Sequence, residues 1–340
     1  MRTRLGLALG ASLLGCSSDD SVDPNATQTL PFGPVAIAAN SEDTSKCVAL
    51  SLGNDEPIYV KQVELTTGPG FHHSNWLFVP EHSFPGPDGI FTCDDRSYDQ
   101  VAAGILGGVF FAQSTQAAHE VQEFPAGVAL KLPPKSKLVA QIHLLNTGDE
   151  PLTLEPTIAF TPMAAADVTN EMHSLTFEYH TLALPPRRQS RFTVDCEIAP
   201  RHLEAFGREP DFKIYYALAH YHEWATGLTF EAVRADGTAA TIYSTENNVG
   251  DTLGGTIDPP FDMTGFTRVR LGCDYYNNTD GTIYYGNGLG EMCIFNAFTD
   301  SLHTWGGGAL DNGDPGQPTD VNGVMSFTRN CQVYSVDGTR

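Results

Sequence analysis

No stretch of this chain sustains the 3.6-residue hydrophobic period of an amphipathic helix, and Gly, Pro, Asn or Asp interrupts it at short intervals. With 33 Gly and 22 Pro in 340 residues, long helices have little to be built from. What remains is a series of short runs rich in β-branched and aromatic residues. Val48–Leu52, Tyr59–Leu65 and Leu138–Leu144 are the clearest before residue 165. Leu175–Tyr179, Arg191–Cys196, Lys213–His222, Leu228–Val233 and Arg268–Cys273 follow it. Each run predicts a strand. Many short strands between frequent turns predict an all-β protein built of β-sandwiches. The length allows two tandem domains, 31–165 and 166–340, divided near Ala164–Asp167.

The net charge of −22 would repel a phosphate backbone, so nucleic acid is not expected as a partner. Arg2 and Arg4 precede the apolar run Leu5–Gly15, which is too short to span a bilayer and reads as a signal peptide over 1–15. The run ends Leu13-Leu14-Gly15-Cys16-Ser17, which resembles a bacterial lipobox. That resemblance implies lipid on Cys16, a polar tether over 16–30, and export to the outer membrane, with membrane contact only through the anchor. Six cysteines then remain, and an even number in an exported chain predicts three disulfides among 15 connectivities. No C-x-x-C pair is present, so a thiolate zinc site is not indicated.

Four places carry metal-ligand residues on strand-like segments. His220 and His222 lie two apart on a predicted strand and therefore project from one face. His72 and His73 are adjacent, so both can meet one metal only at a strand end or a bulge, which Gly68-Pro69-Gly70 upstream makes reasonable. His143 sits in an otherwise apolar strand, and Met292 immediately precedes Cys293. Between 73 and 143, 143 and 220, and 222 and 292 lie intervals of 70, 77 and 70 residues. Imidazole ligands suit Zn, Cu, Fe or Ni, and a Met before a Cys is by itself more often core filling.

The order His-His, His, His-x-His, Met resembles that of the copper type II, ascorbate-dependent monooxygenases, the family of peptidylglycine α-hydroxylating and dopamine β-monooxygenases. The likeness extends to Phe124-Pro125-Ala126-Gly127-Val128, Gln141-Ile142-His143, Gly250-Asp251, Arg270-Leu271-Gly272-Cys273 and Gly290-Glu291-Met292-Cys293. It implies two jelly-roll-like domains facing each other across a solvent-filled cleft, and two copper ions. His72, His73 and His143 would hold the electron-transferring copper. His220, His222 and Met292 would hold the copper that meets dioxygen, with Gln141 near the first site. The implied reaction hydroxylates a C–H bond of a small molecule with O2 and ascorbate or another one-electron donor. The family's bridges imply Cys47–Cys93 and Cys273–Cys293, which leaves Cys196 with Cys331.

The peptide-hydroxylating members hold a substrate carboxylate with an Arg two residues before the H-x-H, where this chain has Leu218. Leu218, Ile294 and Phe295 therefore predict a more hydrophobic substrate. His82, His119, His173, His180, His202 and His303 have no partner at ligand spacing. Thr226 stands where a zincin would need its second His, and no G-x-S-x-G, P-loop or dinucleotide fingerprint occurs. The alternatives are a non-catalytic copper-binding lipoprotein on the same fold, or a surface β-sandwich that binds glycans or proteins.

Overall fold

The computed structural model describes residues 25–338, apart from 115, 287 and 312–314; the expected signal peptide and Cys16 lie outside the described residues. The all-β expectation holds. Among the described residues, the α-helices are the short Gln100–Leu106 and Ala199–Phe206, and three sheets of five or more strands carry most of the rest. An antiparallel five-stranded sheet runs Gly89–Thr92, Ser41–Ser51, Ser136–Asn146, Phe71–Pro80, Gly108–Ala112. An eleven-stranded sheet faces it, and a six-stranded sheet lies in the second half of the chain.

Period-2 alternation builds the first core. Leu138, Ala140, Ile142 and Leu144 project from the Ser136–Asn146 strand to meet Val60, Val63 and Leu65 of the opposing sheet. A second core lies between Phe192, Val194, Phe230 and Leu271 of the six-stranded sheet and Leu175, Phe177 and Phe295 of the large one. The expected boundary near residue 165 falls between Thr157–Met163 and Asn170–Tyr179, and the large sheet runs on across it. Val128–Leu132 pairs in parallel with Asn170–Tyr179, in the register Asn170↔Val128 to Met172↔Leu130.

The strand Lys213–His220 is buried on both faces, which explains its unbroken apolar sequence. Ile214, Ala217 and Ala219 enter the second core, while Tyr215, Tyr216 and Leu218 enter the first. Leu218 and Phe295 are therefore core residues, not parts of a substrate surface, because their strands lie between two cores. Phe124 packs edge-on against Phe298 at 5.2 Å and Tyr216 at 6.2 Å, tying the two halves together.

All three disulfides, Cys47–Cys93, Cys273–Cys293 and Cys196–Cys331, are formed. Cys273, on a strand of the six-stranded sheet, is bonded to Cys293 at the start of Ile294–Thr299, so this bridge joins the two sheets of the second core. Chain-entropy arithmetic gives about 3 kcal/mol for its separation of 20 residues and about 5 kcal/mol for the 135 of Cys196–Cys331. Equilibrium urea unfolding should accordingly find the Cys196→Ser/Cys331→Ser protein less stable than Cys273→Ser/Cys293→Ser; the reverse order contradicts this account.

Candidate metal centre

A bulge settles how two adjacent histidines share a face. Phe71 pairs with Leu144 and His73 with His143, leaving His72 as an extra residue opposite no partner. The strand begins at a turn in which Gly70 adopts φ +91°, a conformation most side chains avoid, and Phe71 N–H donates to Gly68 O. The His72 and His73 rings both turn toward His143, with centroids 4.5 and 4.8 Å from it. The Nδ1 atoms of His72 and His73 are 2.8 Å apart, close enough for both to face one ion. His143 donates from Nε2 to the Glu42 carboxylate at 2.7 Å, which leaves its Nδ1 lone pair directed inward.

His220 ends its strand, in register with Ile294. Carried two residues on, that register sets His222 opposite Met292, and the two segments stay side by side. His222 donates from Nδ1 to Gly290 O at 2.8 Å, so its Nε2 carries the lone pair. His220 makes the corresponding bond from Nδ1 to Gln113 O at 3.1 Å. Met292 is buried, and its carbonyl accepts from the Tyr275 hydroxyl at 2.7 Å. Glu291 beside it is fully buried and takes the backbone N–H groups of His222, Trp224 and Met292, clamping the H-x-H turn to the Met-bearing loop.

The halves are not separated by a cleft at these residues, as the family resemblance had led one to expect. Gln113 O meets His220, and Leu253 N–H donates to Ser114 Oγ, so the two sets of histidines are pressed together. The rings of His73 and His220 are 4.8 Å apart, and those of His72 and His222 are 5.5 Å apart. Ligand atoms of His72, His73 and His143 lie within 4.8 Å of one another, as do those of His73, His220 and His222, with His73 common to both groups. All five residues are between 2 and 6% exposed.

Burial dominates the electrostatics, because a charged imidazole loses its hydration and faces four others. It drives His72 and His220 down to about 3 and His222 to about 4, and holds His73 well below its usual range. His143 is also lowered by burial, against the pull of Glu42. The cluster is neutral at physiological pH, so its ring nitrogens carry lone pairs. The buried Nδ1 of His143 and Nε2 of His222 find no hydrogen-bond partner among the described residues. Leaving such atoms unsatisfied costs about 1–3 kcal/mol each, and a metal ion removes that cost.

Three of the histidines set aside on spacing serve other ends. His119 binds Glu64, His180 binds Glu178, and His202 donates to Arg208 O and stacks on Trp305. Gln141 spends its amide on Thr44 O at 2.6 Å, which gives it a structural task. Sequence reasoning missed Glu42, Gln113 and the role of Glu291. Glu291 stood within a quoted motif, whereas nothing local marked Glu42 or Gln113.

No family model matches the chain, and no curated protein matches it. Among solved structures it is similar to the major capsid protein P2 of bacteriophage PM2, at 7% identity over 81% of this chain and 97% of that one, TM-score 0.30. It is also similar to the exported protein XepA of PBSX, at 8% identity over 81% and 87%, TM-score 0.21. A third is the tandem CBM22 domain of Paenibacillus barcinonensis Xyn10C, at 13% identity over 74% and 82%, TM-score 0.22. At these scores the likeness carries no argument about function or assembly.

Five imidazoles kept neutral by the fold would regain ordinary values near 6.5 in the unfolded chain, which then binds more protons at acid pH. Their contribution to stability is complete above pH 6.5 and is lost as the pH falls toward about 3. Glu120 and Glu291, raised by burial to about 7 and about 8, act oppositely: their contribution is present below 4.5 and is lost as the pH rises through those values. The metal-free protein should be most stable near pH 6.5 in urea unfolding, and Glu291→Gln should flatten the alkaline limb. Stability rising steadily to pH 9 contradicts this balance.

Proposed function

We propose that this protein is a copper-dependent monooxygenase, holding copper through His72, His73, His143, His220, His222 and Met292. The substrate is a small organic molecule, hydroxylated at a C–H bond with O2 and ascorbate or another one-electron donor. The observation that carries this reading is the convergence of five buried, neutral imidazoles, two of them presenting unpartnered buried nitrogens. Neutral imidazoles accommodate copper in both oxidation states, and a thioether favours Cu(I).

Copper bound there supplies the dioxygen chemistry, which puts one oxygen atom into the substrate and, with two electrons from the donor, releases the other as water. The chain's own contribution is to orient and to exclude. Glu42, Gln113 O and Gly290 O each hold one ring nitrogen, fixing the rotation and tautomer of His143, His220 and His222. Glu291 holds the turn that carries His222 against the loop that carries Met292. Burial of the five rings keeps bulk water from them.

A second reading, a non-catalytic copper-binding lipoprotein, is favoured by that same burial, since a closed cluster suits storage as well as turnover. Metal analysis of the purified protein should find two copper ions per chain. X-ray absorption of the Cu(I) form should show Cu–S scattering that Met292→Ile removes, together with ascorbate-driven O2 consumption, while His-bound copper is retained. Copper bound without O2 consumption across a substrate panel selects the second reading. No copper bound overturns both.

A further inference from the structure

A cavity of about 120 Å³ opens between the two halves of the chain and has His220 in its lining. One wall is Leu77 and Val109 of the five-stranded sheet, together with Val101 and Ile105 of the helix Gln100–Leu106. The opposite wall is Ile294, Trp305 and Val336 of the large sheet. Polar groups reach it at a few points. Thr176 and Asn296 are cross-strand partners joined by a 2.8 Å hydrogen bond, in which the Thr176 hydroxyl donates to Asn296 Oδ1. That bond leaves the Asn296 amide N–H groups available to an acceptor.

The charge of the lining limits what can enter. No Lys or Arg lines the cavity, and its one carboxylate, Glu178, is already bonded to His180. His180 is raised by that partner despite the opposing effect of burial, so the pair is internally compensated. An anion in this cavity would be desolvated with nothing to pair it. At about 120 Å³ the cavity is smaller than the ~150 Å³ apolar cavity that holds benzene, so it takes no more than about one ring, with any further atoms at its open rim.

The helix Gln100–Leu106 is capped by Asp99, which accepts from Ala102 N–H at 2.8 Å, and it buries only Ala103. Val101 and Ile105, four apart and so on one face, remain 66 and 51% exposed at the cavity's rim.

We propose that this cavity is the substrate site, and that it takes an uncharged, mainly apolar molecule of about one aromatic ring, with a single hydrogen-bond acceptor read by Asn296. This rests on the reading of His220 as a ligand of the reacting copper, since that residue lines the cavity. It also relocates the hydrophobic preference expected from Leu218 and Phe295: of the three residues invoked, only Ile294 lines the cavity.

The test is binding to the full metal-free protein, so that its failure is separable from that of the copper reading. Benzyl alcohol and benzoate, equal in ring size and different in charge, would be titrated by calorimetry or ligand-observed NMR. Benzyl alcohol should bind about tenfold or more tightly than benzoate. Ile294→Trp, which fills the cavity, should weaken benzyl alcohol about tenfold or more. Ile105→Glu, at a half-exposed site that folding tolerates, should do the same by charging the rim. Equal binding of the two probes, absence of benzyl alcohol binding, or unchanged affinity in a folded Ile105→Glu protein overturns the proposal. Copper content of the same Ile105→Glu protein should equal wild type. If wild type binds benzyl alcohol selectively and takes up no copper, the cavity stands and the monooxygenase reading falls.

Discussion

The parallel pairing of Val128–Leu132 with Asn170–Tyr179 is the constraint on which the rest of the molecule depends. It makes one sheet of strands from both halves of the chain, and it begins at a turn where Gly127 O accepts from Thr169 and Asn170 N–H. Once that seam is closed, Lys213–His220 is sandwiched between two cores and its C-terminal end can point only toward the Phe71–Pro80 strand. The meeting of His220 with His73 is thus a product of sheet continuity. A hinge between independent domains at this point would have to break backbone hydrogen bonds and the Phe124–Phe298 contact together.

Five imidazoles packed ring to ring in a buried interior are an expensive arrangement unless something uses their nitrogens. Their neutral state removes the charge cost, and backbone carbonyls or Glu42 satisfy one nitrogen on three of them. His143 Nδ1 and His222 Nε2 are what the fold leaves over among the described residues. Packing against aromatic and aliphatic neighbours would be better served by Phe or Leu, so the residue choice reflects a requirement for lone pairs.

Much of this was readable from residue types. The lack of helical period identified the fold class, and Gly68-Pro69-Gly70 before His72-His73 pointed to an interruption of the ladder, which appears as a bulge at His72. The i, i+2 spacing of His220 and His222 predicted one face of a strand through His222; the strand ends at His220, and His222 lies just beyond it. What escaped the sequence was long-range. Nothing near Glu42 shows that it will meet His143, 101 residues away, because side-chain partners across a sheet depend on register. For the same reason Leu218 looked like a substrate contact: an apolar residue near a ligand motif has the same local signature whether it faces a cavity or a second core. The merging of two expected ligand sets into one cluster likewise depends on the seam, to which no motif near either set refers.

His72 and His222 stand 150 positions apart in the chain and 5.5 Å apart in space. No nascent fragment shorter than about 220 residues contains both, and Met292 arrives later still. Contacts of such separation form slowly, because the chain must surrender a long loop's freedom before any ring meets its neighbour. The centre is therefore among the last parts of the molecule to become complete during synthesis, and an incompletely folded chain exposes separate histidines rather than a weakened version of the assembled pocket.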